Sequence, residues 1–210
     1  ATMPHILGPD GNKKLSKRDG AKDILDYIND GYLPESLMSF IATLGWNDGT
    51  EQEVFTVDEL IKKFSLNRVQ KSGARFDEQR LNWVNGHFIR ELSLDDLYDK
   101  ADGFWPEEAN TSSPDYKKKV LSLIQERLKF LAEIPELTRF FFVDLPIIPN
   151  LISGNKQLKN CNGKDLANWL MAAKESLATS DFSEKDLTER LNNLLEATNQ
   201  KPAVLFSLIR

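Results

Sequence analysis

Apolar positions recur along most of this chain at helical spacing, and the polar residues between them supply starts and stops. Ile24, Leu25, Tyr27 and Ile28 make a short amphipathic stretch that Gly31 closes. Pro34 suits the first turn of a second helix running to Leu44, with Gly45 just past its end. Thr56 and Glu59 form a capping-box pair for a third helix, Val57–Phe64. A fourth is expected from Asp77 through Trp83, stopping near Asn85-Gly86, and Ser93 caps a fifth at Leu94–Lys100. Residues 103–114 hold Gly103, Pro106, Asn110, Thr111, Ser112, Ser113 and Pro114 and read as a linker. Beyond it Tyr116, Val120, Ile124 and Leu128 recur every four residues, which predicts the longest helix, to about Ala132. Pro135 starts another short helix, Pro146 and Pro149 mark an irregular apolar stretch, and two more helices follow around Asp165–Leu177 and Glu184–Ala197, the latter capped by Ser183. No strand pattern stands out. The expectation is an all-α protein of two modules, residues 1–105 and 106–210.

Composition changes this picture little. At 40% hydrophobic and 28% charged residues, 210 residues suffice for one sizeable core or two small ones. The net charge of -5 runs against wholesale nucleic-acid binding, but screening confines each charge to about 10 Å, so a local basic face still meets phosphates. One cysteine, Cys161, leaves no disulfide framework and suits a reducing, cytoplasmic compartment. His5 and His87 lie far apart, so no metal site is expected. No run approaches the ~20 apolar residues of a membrane span. The start, Ala1-Thr2-Met3-Pro4-His5, carries no signal-peptide pattern and does not read as a natural beginning, so a longer parent chain is expected.

The most chemically pointed motif is Lys14-Leu15-Ser16-Lys17-Arg18, three cations and a hydroxyl in five residues flanked by glycines. Such groups make charge-assisted hydrogen bonds to phosphate oxygens and stabilise charge building on a leaving pyrophosphate. From charge alone a solvated basic turn is the better reading, because short basic runs are common. Trp46, Phe76, Trp83 and Phe88 have the shape of base-stacking residues but also helical core spacing. We expect Trp46 and Phe88 in the core and leave Trp83 open. Phe140-Phe141-Phe142 cannot all face one core, and Lys117-Lys118-Lys119 reads first as a solvated helix face.

The context of the basic motif carries more. Gly8 through Gly20 resembles the K-M-S-K-S signature of class I aminoacyl-tRNA synthetases in its glutamyl form. Asp30-Gly31-Tyr32-Leu33-Pro34-Glu35-Ser36-Leu37, Leu44-Gly45-Trp46, and Phe76-Asp77, Leu81, Trp83, Asn85-Gly86, Ile89-Arg90 resemble further segments of the same family, in order over residues 5–100. Leu208-Ile209-Arg210 is similar to the family's P-L-R. Leu15 and Arg18 depart from the general signature in ways usual for glutamyl enzymes, Arg80 stands where Lys is common, and no H-I-G-H motif occurs in the sequence.

The resemblance to bacterial-type glutamyl-tRNA synthetases implies an all-α tail of the catalytic core with a stem-contact module over 1–105. It implies an anticodon-binding helical cage, incomplete, over 106–210. It implies ATP with Mg²⁺ as the cofactor set, glutamate and tRNA(Glu) as partners, and a monomer. Lys14 and Lys17 are then the catalytic cations, with Ser16 and Arg18 completing the ATP-phosphate loop. Arg80, Trp83, Arg127 and Arg210 are then tRNA contacts, with Arg127 inspecting the third anticodon base. Read from the residues alone, Arg127 pairs as readily with Glu126 or Glu133. A fragment without H-I-G-H is expected to be inactive by itself. A non-discriminating enzyme that also charges tRNA(Gln), a non-catalytic RNA-binding module and a helical adaptor remain alternatives.

Overall fold

Local capping decides where the helices begin. In the computed structural model, which describes residues 4–16, 22–146 and 148–210, α1 (Ile24–Asn29) opens on Asp23, whose carboxylate accepts from Leu25 N–H while Asp26 reaches back to the Asp23 N–H. α2 (Pro34–Thr43) has proline in its first turn, and α3 (Val57–Lys63) has the Thr56/Glu59 capping box in place. Asp77 caps α4 (Glu78–Glu91), Ser93 caps α5 (Leu94–Lys100), and Ser113 caps α6 (Pro114–Ile124). α7 (Ile134–Thr138) completes the first of two compact units, Ala1–Asp144. The second, Leu145–Arg210, holds α8 (Pro149–Ser153), α9 (Gly163–Leu177), α10 (Glu184–Thr198) and α11 (Pro202–Ile209). Among the described residues there is no β-sheet, only isolated bridges such as Leu7 with Lys14 and with Arg75. The fold is all-α.

Where helices end, non-local contacts override the sequence pattern. α4 does not stop at Asn85-Gly86 but runs through it to Glu91. Asn85 is fully buried. Its side-chain oxygen accepts from Leu33 N–H at 2.8 Å and Ser36 Oγ–H at 2.5 Å, and its amide donates to Lys129 O at 2.5 Å. A buried amide so satisfied stays in the helix rather than breaking it. Conversely, the helix expected to reach Ala132 ends at Ile124. The chain passes through a 3-10 turn, Gln125–Arg127, then an extended stretch at Leu128–Phe130 and a second 3-10 turn, Leu131–Glu133. Leu131 N–H and Ala132 N–H donate not to their own helix but to Gly31 O and Asp30 O. Gly31 has φ +82°, and a Cβ there would lie 2.5 Å from Leu131 Cβ, so only glycine admits this approach. The proline stretch expected to be irregular contains α8, and Pro202 opens the unforeseen α11.

Packing continues across residues 103–114. Leu33, Ile89, Leu97 and Ala101 share one buried cluster with Leu121, Ile124, Leu128, Leu131 and Ile134. A neighbouring cluster joins Tyr27, Tyr32, Leu37, Phe40, Leu44, Leu81 and Val84. Trp46, 2% exposed, packs with Phe55 and Leu60, and Phe88 lies against both larger clusters, as expected of core aromatics. Phe140 is exposed, whereas Phe142 sets its ring edge-on to Trp105 and Tyr116. In the second unit Ala173, Leu194 and Leu205 form the core, with Trp169 and Ile209 beside them.

Candidate nucleic-acid interface

α4 presents Gln79, Asn82, Trp83, Gly86 and Arg90 along one face, at the three- and four-residue spacing that stacks side chains. Across from them runs the turn Glu126–Lys129, and the two walls enclose a cleft of about 490 Å³. Gly86 sets the closeness of the walls. A Cβ there would stand 3.0 Å from Leu128 O and 3.1 Å from Arg90 Nη1. Trp83 is 50% exposed, and its indole lies near-parallel to His87 at 6.3 Å between centroids and 29° between planes. A half-exposed indole at the mouth of a cleft is a stacking platform for a base. The Tyr32 hydroxyl donates to Asn82 Oδ1 and fixes that side chain; burial pushes the phenol's pKa up, so it stays a donor.

Two guanidinium groups of the cleft are available: neither the Arg90 nor the Arg127 side chain has a hydrogen-bond or ion-pair partner among the described residues. Glu133, one of the two carboxylates that could have taken Arg127, is held by Lys129 instead: it accepts from Lys129 N–H at 2.8 Å and lies 3.6 Å from Lys129 Nζ. Arg127 is exposed beside a single acid, Glu126, that shares its wall. An aromatic face flanked by guanidinium donors suits a nucleotide, whose base offers a π-face and whose edges and phosphate offer acceptors.

The other residues singled out by the sequence lie elsewhere. Arg80 is 3.6 Å from Glu53 and lines a separate polar cleft with Trp46, Asn47 and Gln70. Arg210 follows α11 in the second unit, exposed, with its N–H on Phe206 O. Lys14 and Ser16 end a tight loop built on residues 4–16: Gly8 N–H donates to Lys13 O, Leu15 N–H to Ile6 O, and the Asp10 carboxylate accepts from Asn12 N–H. The Asn12 and Lys13 N–H groups hold the Asp10 carboxyl below its ordinary pKa. Leu7 ties this loop to the segment entering α4 through Leu7 N–H to Ala74 O and Phe76 N–H to Leu7 O. Lys14 is exposed there, while Lys17 and Arg18 lie outside the described residues.

The Lys117–Lys119 run is partly committed to the fold. Lys117 Nζ lies 5.2 Å over the Trp105 ring, and Lys118 bonds Asp95 at 2.5 Å and covers Tyr98. Sequence reasoning missed Gln125, partly buried, whose amide donates to Ile89 O and Leu92 O, both at 3.0 Å. Nothing in Ile124-Gln125-Glu126 marks that residue, because its partners are brought in by the turn.

Comparison with known proteins places the chain among tRNA synthetases. A family model described as the catalytic domain of class I tRNA synthetases for E and Q matches residues 2–83, and one described as an anticodon binding domain matches residues 94–210. A glutamate–tRNA ligase of Dehalococcoides mccartyi is 37% identical over 217 residues, covering 100% of this chain and 44% of its own. One from Clostridioides difficile is 42% identical over 148 residues, covering 68% of this chain and 30% of its own. The crystal structure of a glutamate tRNA ligase from Elizabethkingia meningosepticum in complex with its amino acid superposes with a TM-score of 0.75 at 27% identity, over 99% of this chain and 44% of that one. The chain thus spans less than half the length of these relatives. Matched by both models and 37% identical over its whole length to a glutamate–tRNA ligase, the chain belongs to the glutamate–tRNA ligase family of class I tRNA synthetases and corresponds to the C-terminal part of those relatives.

Proposed function

We propose that this chain supplies the tRNA-binding part of a glutamate–tRNA ligase. Residues 1–105 serve as the end of the catalytic core and the stem contact, and residues 106–210 as the anticodon-binding part. The observation that carries the reading is the cleft in which Trp83, Arg90 and Arg127 meet. Arg80 and Arg210 are proposed as further tRNA contacts, and Lys14, Ser16, Lys17 and Arg18 as the loop that holds the ATP phosphates. The exposed ammonium of Lys14 suits phosphate oxygens. In the ligase reaction the glutamate carboxylate attacks the α-phosphorus of ATP, pyrophosphate leaves, and the acyl group then passes to the terminal adenosine ribose of tRNA(Glu) with loss of AMP. Mg²⁺, arriving with ATP, supplies charge neutralisation on the phosphates; no residue here is assigned as its ligand. The cations of this chain hold the departing pyrophosphate.

The test is direct binding of a labelled tRNA(Glu) transcript by fluorescence anisotropy. Despite the net charge of -5, binding is expected to weaken by about tenfold or more between 50 and 200 mM salt, the scale for neutralising two or three phosphates. Affinity that does not change with salt would favour a helical adaptor for a protein partner.

The cleft also supports a choice between tRNAs. Glutamate and glutamine tRNAs differ in the third anticodon base, cytosine against guanine. A guanidinium carries donors only. Cytosine offers O2 and N3 as acceptors to Arg127, whereas guanine presents N–H donors at N1 and N2. The mismatch is worth roughly 1–3 kcal/mol. Arg127→Gln, whose amide both donates and accepts, is expected to cut the preference for the cytosine-bearing transcript by about tenfold. Equal binding of both transcripts by the unaltered chain would sink this discriminating reading and leave the non-discriminating one.

A further inference from the structure

Arg127 stands on a three-residue 3-10 turn, a geometry with little rigidity of its own. Both sides of that turn are nevertheless pinned to α4. On its N-terminal side the Gln125 amide donates two hydrogen bonds, to Leu92 O and to Ile89 O, carbonyls at the C-terminal end of α4; Ile89 O also accepts from the capping Leu92 N–H. On its C-terminal side Asn85 Nδ2 donates to Lys129 O, while Lys129 N–H is taken by Glu133. Leu128, between the two anchors, is 1% exposed and belongs to the main core. The Gln125 and Asn85 bonds and the Leu128 side chain thus tie the turn to the helix that carries Trp83 and Arg90.

The geometry points to Gln125 and Asn85 as positioning residues for Arg127: they hold its turn against α4 so that the guanidinium meets a base already seated on Trp83. This rests on the proposed base-reading role of Arg127. It goes further in assigning selectivity to residues that touch no RNA. A long, flexible arginine discriminates only if its Cα is fixed, because a turn free to shift by an ångström lets the side chain find some acceptor on either base. Asn85 contributes both to this and to folding through Leu33 and Ser36, so Gln125 is the cleaner probe.

The experiment measures binding of two tRNA transcripts, identical except for cytosine or guanine at the third anticodon position. It compares the unaltered chain, Gln125→Met, Gln125→Lys and Arg127→Gln. Methionine keeps the length but donates nothing, and lysine restores a donor. We expect a preference for cytosine of about tenfold or more in the unaltered chain, falling to within about threefold in Gln125→Met and recovering in Gln125→Lys. The ratio of affinities is the readout, since a merely structural role would weaken both transcripts equally and leave it unchanged. A preserved ratio in Gln125→Met, with Arg127→Gln losing it, overturns the positioning role and leaves the base-reading role standing. No preference in the unaltered chain overturns both. Should the methionine variant not fold, Gln125→Asn, whose amide stops one methylene short, carries the same comparison.

Discussion

Asn85→Ala is expected to lower the stability of the first unit by about 2–4 kcal/mol. The substitution leaves two groups without partners, the buried Leu33 N–H at the start of α2 and the part-buried Lys129 carbonyl beyond the Arg127 turn. Each such orphan costs about 1–3 kcal/mol. Ser36 does not add to the loss, since its one hydroxyl proton can turn to Leu33 O, 2.7 Å away. The small cavity left at a fully buried position adds to it. Urea unfolding followed by tryptophan fluorescence measures the difference. Gln79→Ala, an exposed change on the same helix, should shift stability by less than about 0.5 kcal/mol. If Asn85→Ala unfolds at the same urea concentration as that control, the Asn85 bridges do not stabilise the fold and the account of why α4 runs through Asn85-Gly86 fails.

The second large effect concerns Lys17. In a ligase where this segment is joined to a nucleotide-binding half, Lys17→Ala is expected to slow glutamyl-adenylate formation by about two to three orders of magnitude. That is the scale of removing one preorganised electrostatic donor from a developing charge. Glutamate-dependent exchange of pyrophosphate into ATP reads the step alone. Affinity for tRNA should stay within about twofold, because the change is confined to the phosphate loop. Normal exchange combined with a large loss of tRNA affinity would move Lys17 out of the ATP site and into the RNA-binding surface.

Much of this was legible in the sequence wherever the deciding interaction is local. Thr56 with Glu59, and Ser93 and Ser183, announce helices that begin where expected, because a cap is settled within three residues. Helix ends were not legible where distant groups decide them. Asn85-Gly86 has the chemistry of a stop, yet Leu33 and Lys129 satisfy its amide and the helix continues. Leu128 continues the four-residue apolar repeat, but the Gly31 and Asp30 carbonyls draw Leu131 and Ala132 out of the helix. The site shows the same division. Resemblance singled out Trp83 and Arg127 separately; their meeting in one cleft depends on that unforeseen bend. Gln125 drew no notice because its partners are two carbonyls, which leave no mark in a sequence.

The core that runs unbroken past residues 103–114 has a bearing on how such ligases exchange parts. A chimera joined to a relative at residue 105 would set Leu97 and Ala101 from one parent against the other parent's counterparts of Leu121, Ile124 and Ile134, inside a single packed cluster. Cores tolerate such mixing only when volumes happen to match. A join at Asp144, where one compact unit gives way to the next, leaves that cluster wholly from one parent. Recombinant ligases with grafted C-terminal helices should therefore survive when the crossover falls after α7, and lose cooperative unfolding when it falls at residues 103–114, the stretch of turn-forming residues that looks, in the sequence, like the natural seam.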